Sequence, residues 1–415
     1  MVYYSTSHFN AQPVITNHDP YSVSLTFLPT FSGIVKPFTK TQKGGLLPLA
    51  PTKVSAFNPL YISFGPLHID FGDTVVLLLF QGCDEIFRLK TKVYDPVILN
   101  NSFLPFVWSM YVASCFRLPS DYSSSPIDVG AYQQFAQQYG AEPSDMVVSL
   151  GDTIYLQKSQ VGSRDGVLNR YNTLLNFPFL QESFSKSWWV AGIDDHDLGL
   201  DDTLGSTYNI EMVRTVQQQV FPRVAYGLPD TLNSLYSISD ITIVVLDDVS
   251  HRKYDIEKQN YSSILGEAQL EWFLQALVNA QQAFGSDPLI MVVEGKSWFG
   301  SYGGMTYTTC PSERDRILDT INKLQLTNVY HLCGDSHFSD QSYYPLDKGG
   351  ITEFRNSAIG SVPRKNVEDN PYRVPGSLVD VNNFGKITIT NVLDQKTVDY
   401  KVFTKEGMVY EWTKP

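Results

Sequence analysis

The sequence has no basic cluster. Its 31 Lys and Arg are outnumbered by 43 Asp and Glu, for a net charge of −12. Binding along a phosphate backbone or an anionic membrane needs clustered cations, so neither polynucleotides nor membrane surfaces are expected partners. A negative protein still hydrolyses phosphate esters when metal ions supply the positive charge. Cysteine is scarce: Cys83, Cys115, Cys310 and Cys333, none in a C-x-x-C pair. That excludes a structural zinc knuckle, and four scattered thiols do not make a disulfide framework. Long apolar runs are missing too. The longest, "TVVLLLF", is far too short to span a membrane. The opening "MVYYSTSHFNAQPVITNHD" lacks the basic segment and apolar core of a secretory signal. Low charge and frequent Ser, Gln and Tyr suit an extracellular setting. The triplets "NNS" at 100 and "NYS" at 260 have the form of glycosylation sites but arise readily by chance, so the compartment stays open.

What is present is a globular composition, 43% hydrophobic and 13% aromatic. A chain of 415 residues exceeds one ordinary core, so a large domain plus a small one is expected. Residues 1–107 read as β throughout. "YSVSLTFLP" alternates Val23, Leu25 and Phe27 with polar neighbours, the period of a half-buried strand. The expectation is a small N-terminal β-sandwich over 1–107, followed by a catalytic domain over 108–415.

From residue 108 the pattern changes. "WSMYVASCF", "DMVVSLGD" (145–152), "SWWVAGIDDHD" (187–197), "SDITIVVLDD" (239–248), "DPLIMVVEG" (287–295) and "NVYHLCGD" (328–335) are continuous apolar runs. Such runs fit strands covered on both faces. Amphipathic stretches lie between them. "LGEAQLEWFLQALVNAQQAF" repeats Trp272, Phe273, Ala276, Leu277 and Ala280, and "PSERDRILDTINKL" carries Ile317, Leu318, Ile321 and Leu324 with Ser312 as N-cap. The chain closes on strand-like text. The fold class predicted is α/β, a two-sheet sandwich with helices outside.

Several of these strands end in acid or metal-binding chemistry: Cys115 after "YVAS", Asp152 after "VVSLG", Asp194, Asp195 and His196 after "WWVAGI", and Asp335 with His337 after "YHLCG". Carboxyl ends of strands in α/β sheets gather at one edge, where ligands bind. Carboxylates crowded in one cleft raise each other's pKa unless cations intervene. Two metals ~3.5–4 Å apart want bridging carboxylates with imidazole and oxygen donors, which this set supplies, with Asp152 as the bridge. Thiolate and phenolate donors favour trivalent iron or a similar transition metal over magnesium. Cys333 and His331 read as strand packing. His251 reads either as surface or as a general acid near substrate. "DDHDLGLDD" lacks the spaced Gly and closing Glu of an EF-hand loop, and "WFGSYGG" does not open a helix as a nucleotide cradle does.

Taken in order, "VASCF", "LGDTIY", "DDHD", "LGEAQLEWFLQAL" and "HLCGDSHF" resemble the motifs of the alkaline phosphatase D-type (PhoD-like) phosphatases, within the calcineurin-like metallophosphoesterases. The likeness runs over roughly residues 107–390, with "ITEFRNSAIGSV" and "NNFGKITI" resembling the closing strands. It implies a four-layer α-β-β-α sandwich and hydrolysis of small phosphomonoesters or phosphodiesters by a metal-bound hydroxide. It implies iron, Fe(III), together with calcium, Ca(II), other divalent metals being alternatives. By position, Cys115 and Tyr155 would bind iron, Asp152 would bridge, and Asp195, His196, Asp335 and His337 would complete the metal and catalytic set. Departures are visible. Ile193 stands where the family has Trp, and Val249 where it has Arg, with Arg252 at a second basic position. Arg252 and Arg170 are the candidate phosphate-binding residues. Two other functions remain open: a broader phosphodiesterase or nuclease on the same fold, and a catalytically inactive binding protein that keeps its metals for stability.

Overall fold

The computed structural model describes residues 2–4, 7–10, 13–18, 22–41, 46–65, 74–92, 105–121, 127–223, 227–257, 260–285, 288–300, 306–347, 350–365, 367, 369–392 and 395–414. The "NNS" triplet at 100 and most of "WFGSYGG" lie outside them. Asn260 to Ser262 fall in a short strand, Asn260–Ser263.

Two six-stranded sheets dominate. One runs in the order Trp188–Ala191, Met146–Ser149, Phe106–Ala113, Asn383–Val392, Gln395–Thr404, Gly407–Lys414. Its first three strands are parallel and the rest antiparallel. The other runs Ser234–Ile238, Ile241–Val245, Leu289–Val293, Val329–Cys333, Gly350–Arg355, Asp340–Pro345, with four parallel strands flanked by antiparallel edges.

The continuous apolar runs are explained by what covers each face. Met110, Met146, Val148, Val190, Ile243, Met291, Val293 and Leu332 point into one core between the sheets. Their neighbours Tyr111, Val147 and Trp189 point to a second core under helices Gly130–Ala141, Arg164–Leu175 and Ile210–Val220. Val244, Ile290 and Val292 lie beneath helices Glu267–Phe284 and Pro311–Leu324. Trp188 and Trp189 show the alternation directly, the first facing the inter-sheet core and the second the helices. Each fully buried Val, Leu, Ile, Phe or Met contributes ~1.5–3 kcal/mol, so both faces hold their strands in register.

Helix Pro311–Leu324 begins one residue before the expected cap. Cys310 is the N-cap and Ser312 lies in the first turn, because Pro311 takes the N1 position, where its missing N–H costs nothing.

Before residue 92 the described residues form strands only. Two sheets face each other, one of Val2–Tyr4, Asp84–Lys92, Thr74–Gln81, Gly33–Thr41, Leu46–Pro48 and Thr52–Val54, the other of Val14–His18, Val23–Phe27 and Leu60–Phe64. The Phe27 and Phe87 rings meet edge to face at 4.9 Å. Val23–Phe27 is buried at every residue, including Ser24 and Thr26, not half-buried as its alternation suggested. It is the central strand of its sheet, and helix Ile210–Val220 packs against it. No helix among the described residues is long and apolar enough to cross a membrane.

Candidate metal centre

The parallel strands of both sheets release their chains toward one place. Gly334 marks the meeting point: a Cβ there would lie 2.5 Å from Ser114 Cβ and 2.8 Å from the Leu150 carbonyl oxygen, so no larger residue fits between the two sheets' strand ends. Backbone hydrogen bonds lace the loops together, Cys115 N to Gly151 O, Phe116 N to Asp152 O and Gly334 N to Gly295 O. The sharp turns themselves fall on the chemical residues. Cys115 (φ 58°), Asp152 (51°), Asp335 (64°) and His337 (60°) all adopt the left-handed conformation. Non-glycine residues in that region cost of order 1–3 kcal/mol each and persist where surrounding structure over-determines them.

On one side of Asp152 stand the thiol and phenol. Tyr155 Oη donates to Asp152 Oδ2 at 3.0 Å and accepts from Ser361 Oγ at 2.7 Å. Cys115 is fully buried, packs with Tyr155 and Ala358, and its Sγ lies 3.1 Å from Ser357 Oγ. That same hydroxyl accepts from the His337 backbone N–H. His337 Nδ1 lies 2.9 Å from the Val362 carbonyl, which can only accept; the Nδ1 proton is thereby fixed and Nε2 keeps its lone pair for the site.

On the other side stand the acidic residues. Asp194 caps the short helix Asp195–Leu198, and Asp197 binds back to the Asp194 N–H at 3.0 Å and across to the Thr153 N–H at 2.8 Å. Asp197 therefore ties the Asp194 turn to the turn after Asp152. The His196 N–H reaches Asp152 Oδ1 at 3.3 Å, and the His196 ring lies 4.1 Å from that of Tyr155. Asp152, Asp194 and Asp195 bring carboxylate oxygens within 4.8 Å of one another, as do Asp195, His196 and Asp201 with their ligand atoms.

The electrostatics follow from this crowding. Burial, then Asp195 and Asp194, push the Asp152 carboxyl well above the ordinary carboxylate range. Burial and Asp152 likewise push the Cys115 thiol and Tyr155 phenol far up. Burial opposes the charged form of Asp195 too, but Lys296 and His196 hold it below its ordinary value. Asp194 Oδ2, Asp195 Oδ1 and His196 Nδ1 are buried with no hydrogen-bond partner. The thiol, phenol and carboxyl that face one another fit a metal on the Cys115, Asp152, Tyr155 and His337 side, whereas the orphaned atoms belong to the acidic side. A bound cation reverses the local pKa order and deprotonates such ligands. The opposite side does not offer a second ion the same room, because Lys296 Nζ stands there, 2.9 Å from both Asp194 Oδ1 and Asp335 Oδ1.

The structure thus brings Cys115, Asp152, Tyr155, Asp195, His196, Asp335 and His337 close together. The two arginines fall differently. Arg252 is buried behind the acidic turn, its Nη2 3.2 Å from Asp194 and 3.4 Å from Asp248, so it neutralises carboxylates instead of meeting solvent. Val249 beside it is fully buried among the helix-side apolar residues. Arg170 is buried in an ion pair with Asp121, on the turn that follows Cys115. Its expected role at the phosphate is at odds with that placement, since Asp121 already engages its charge. Half-buried Arg364, by contrast, lies on the side of Cys115, Asp201 and Tyr155.

His331 has both ring nitrogens engaged, Nε2 with Glu294 and Nδ1 with Glu353, each at 2.8 Å. It holds the two buried acids and has no lone pair for a metal, although Cys333 and Glu353 lie close. His251 lines an open cleft of 560 Å³ beside Arg252, with Nε2 3.2 Å from Asp230. Sequence reasoning overlooked Lys296. It follows strand Leu289–Val293 just as Asp152 and Asp335 follow theirs, but a search for metal donors passes over an ammonium.

Two facing sheets whose strand ends pool carboxylates, imidazoles, a thiol and a phenol form a fold shared with solved phosphatase structures. Residues 224–407 match the PhoD-like phosphatase family. Cys115, Asp152, Tyr155 and Asp195 precede the matched segment. There the likeness is one of fold. A structure of PhoD superposes with a TM-score of 0.75 at 17% identity, covering 98% of this chain and 92% of that one. A purple acid phosphatase from yellow lupin (Lupinus luteus) seeds superposes at 0.68 and 12% identity, covering 97% and 73%. No curated protein matches the sequence.

Proposed function

We propose that this chain hydrolyses small phosphate esters, monoesters or diesters, at an iron-dependent centre built on Asp152. Its scaffold is the four-layer α-β-β-α sandwich of residues 108–415, behind a small β-sandwich over 1–107. The observation that carries the reading is the meeting of Cys115, Asp152, Tyr155 and His337, drawn from three separate strand ends in left-handed turns. Thiolate, phenolate, carboxylate and imidazole together suit a trivalent transition metal. When bound, such an ion supplies Lewis acidity, polarising a phosphoryl oxygen and lowering the pKa of coordinated water.

The chain's own residues do the remainder. Ser357 fixes the Cys115 sulfur and the His337 turn through one hydroxyl. Val362 sets the His337 tautomer. Arg364, at the edge of the site, holds the phosphate of the entering ester, the part first assigned to Arg170 and Arg252. Lys296 adds fixed positive charge among the carboxylates of Asp194 and Asp335. His251, held by Asp230 in the adjoining cleft, is placed to protonate a leaving alkoxide.

The inactive alternative draws support from Arg252, which is fully engaged by Asp194 and Asp248, and from Val249. Turnover decides between the two. Iron-loaded protein is expected to hydrolyse p-nitrophenyl phosphate or bis-p-nitrophenyl phosphate, and absence of turnover on both refutes the enzyme reading.

A further inference from the structure

We infer that Lys296 is the second cation of this centre: the site takes one metal ion, beside Cys115 and Tyr155, and a fixed ammonium stands where a second ion would bind. The inference rests on the metal-centre reading above and sharpens it.

The placement is specific. Lys296 is 1% exposed, and its Nζ lies 2.9 Å from Asp194 Oδ1, 2.9 Å from Asp335 Oδ1 and 3.9 Å from Asp195 Oδ1. These carboxylates come from two strand ends, Asp194 and Asp195 after Trp188–Ala191 of one sheet and Asp335 after Val329–Cys333 of the other. A calcium ion wants such oxygens at ~2.3–2.6 Å, six to eight of them. An ammonium centred among the same oxygens leaves no shell for it, and the two charges would repel at close range in a buried site. Arg252 compounds this by placing a second fixed charge on the same Asp194 oxygen.

The side chain is also built in. The Lys296 backbone N–H donates to Asp248 Oδ2 at 2.9 Å, and Asp248 is in turn held by Arg252. Gly295 lies so close to Asp194 that a Cβ would come within 2.5 Å of its Cγ. The preceding Glu294 is anchored by His331, Tyr307 and Trp298. A flexible lysine that merely drifted inward would need none of this. Burying an ammonium is costly unless it is paired on several sides, and here it is. The functional consequence is a centre with one Lewis acid and one permanent charge. A lysine interacts with phosphate as a point charge, cannot be removed by chelation and brings no exchangeable water.

The test is metal stoichiometry, read without reference to activity. Wild-type protein, equilibrated with excess iron and calcium and desalted, is expected to hold one equivalent of iron by elemental analysis and to show visible absorption from thiolate and phenolate bound to Fe(III). Titration with calcium is expected to reveal no further site. Lys296→Gln, which offers an amide oxygen in place of the ammonium, is expected to keep the iron absorption and to bind one calcium at least ~10-fold more tightly than wild type. Two metal equivalents in the wild type, or a folded Lys296→Gln with no gain, overturn the inference. If the variant does not fold, wild-type stoichiometry decides alone. Absence of both iron and its absorption band sinks the metal-centre reading itself and this inference with it, whereas two metals with the band intact sink only the inference.

Discussion

Asp152→Asn separates ligation from folding. In the metal-free chain the Asp152 carboxyl is pushed well above its usual range by burial and by Asp195 and Asp194, so its charged form is disfavoured. Asn is nearly the same shape, and it tolerates the left-handed turn at φ 51° as Asp does. It can still accept from the Tyr155 hydroxyl or the His196 N–H, so at most one hydrogen bond is lost, about 1 kcal/mol. The apo melting temperature should therefore move by no more than about 2 °C in a chain of this size. Metal response behaves otherwise. At a free metal concentration 100 times Kd, ligation stabilises the folded state by about 2.7 kcal/mol, or ~5 °C at about 2 °C per kcal/mol. Without the Asp152 carboxylate that shift should vanish, along with retained metal and turnover. Calorimetry with and without iron, followed by elemental analysis of the desalted samples, makes the comparison. A variant that keeps the wild-type metal shift and turnover refutes the assignment of Asp152.

Perturbations at four further residues probe the surroundings. Arg252→Ala leaves Asp194 and Asp248 buried with one cation fewer and should cost ~3–5 kcal/mol by thermal or urea unfolding; Arg364→Ala should instead raise KM for the ester while stability stays within ~1 kcal/mol. Asp197→Ala orphans the N–H groups of Asp194 and Thr153, at ~1–3 kcal/mol for each buried donor, and should weaken iron retention, with Asp197→Asn restoring part of both in metal-binding titrations. Burial alone would depress the His331 imidazolium, but Glu294 and Glu353 carry its pKa above the ordinary value. A raised folded pKa means stability fully present below about pH 6.5 and lost as pH rises through the folded value. His331→Gln should flatten that alkaline decline in unfolding titrations, and an unchanged slope would remove His331 as its source.

Local text determined a good deal. Runs such as "DMVVSLGD" and "NVYHLCGD" are apolar at every position, which only a strand with two covered faces needs, and inter-sheet and helix-side cores supply those covers. The abrupt arrival of Asp152 and Asp335 after such runs carried the site, because a buried strand has little other reason to end in a charge beside glycine. Val23–Phe27 misled for the same physical reason that the others informed: alternation reports which residues are apolar, and Ser24 and Thr26 are small enough to be buried anyway.

The arginines and Lys296 were decided only by tertiary structure. Whether a cation meets substrate or a carboxylate depends on what lies across the cleft from it, and nothing adjacent in the chain records that. Arg170 meets Asp121, 49 positions before it, Arg252 meets Asp194, 58 positions before it, and Lys296 meets Asp335 from a neighbouring strand. Sequence determined the donors and the strand ends that carry them. The folding of two sheets face to face decided which charges would cancel, since electrostatic partners are set by distance in space and that distance exists only once the core between the sheets has closed.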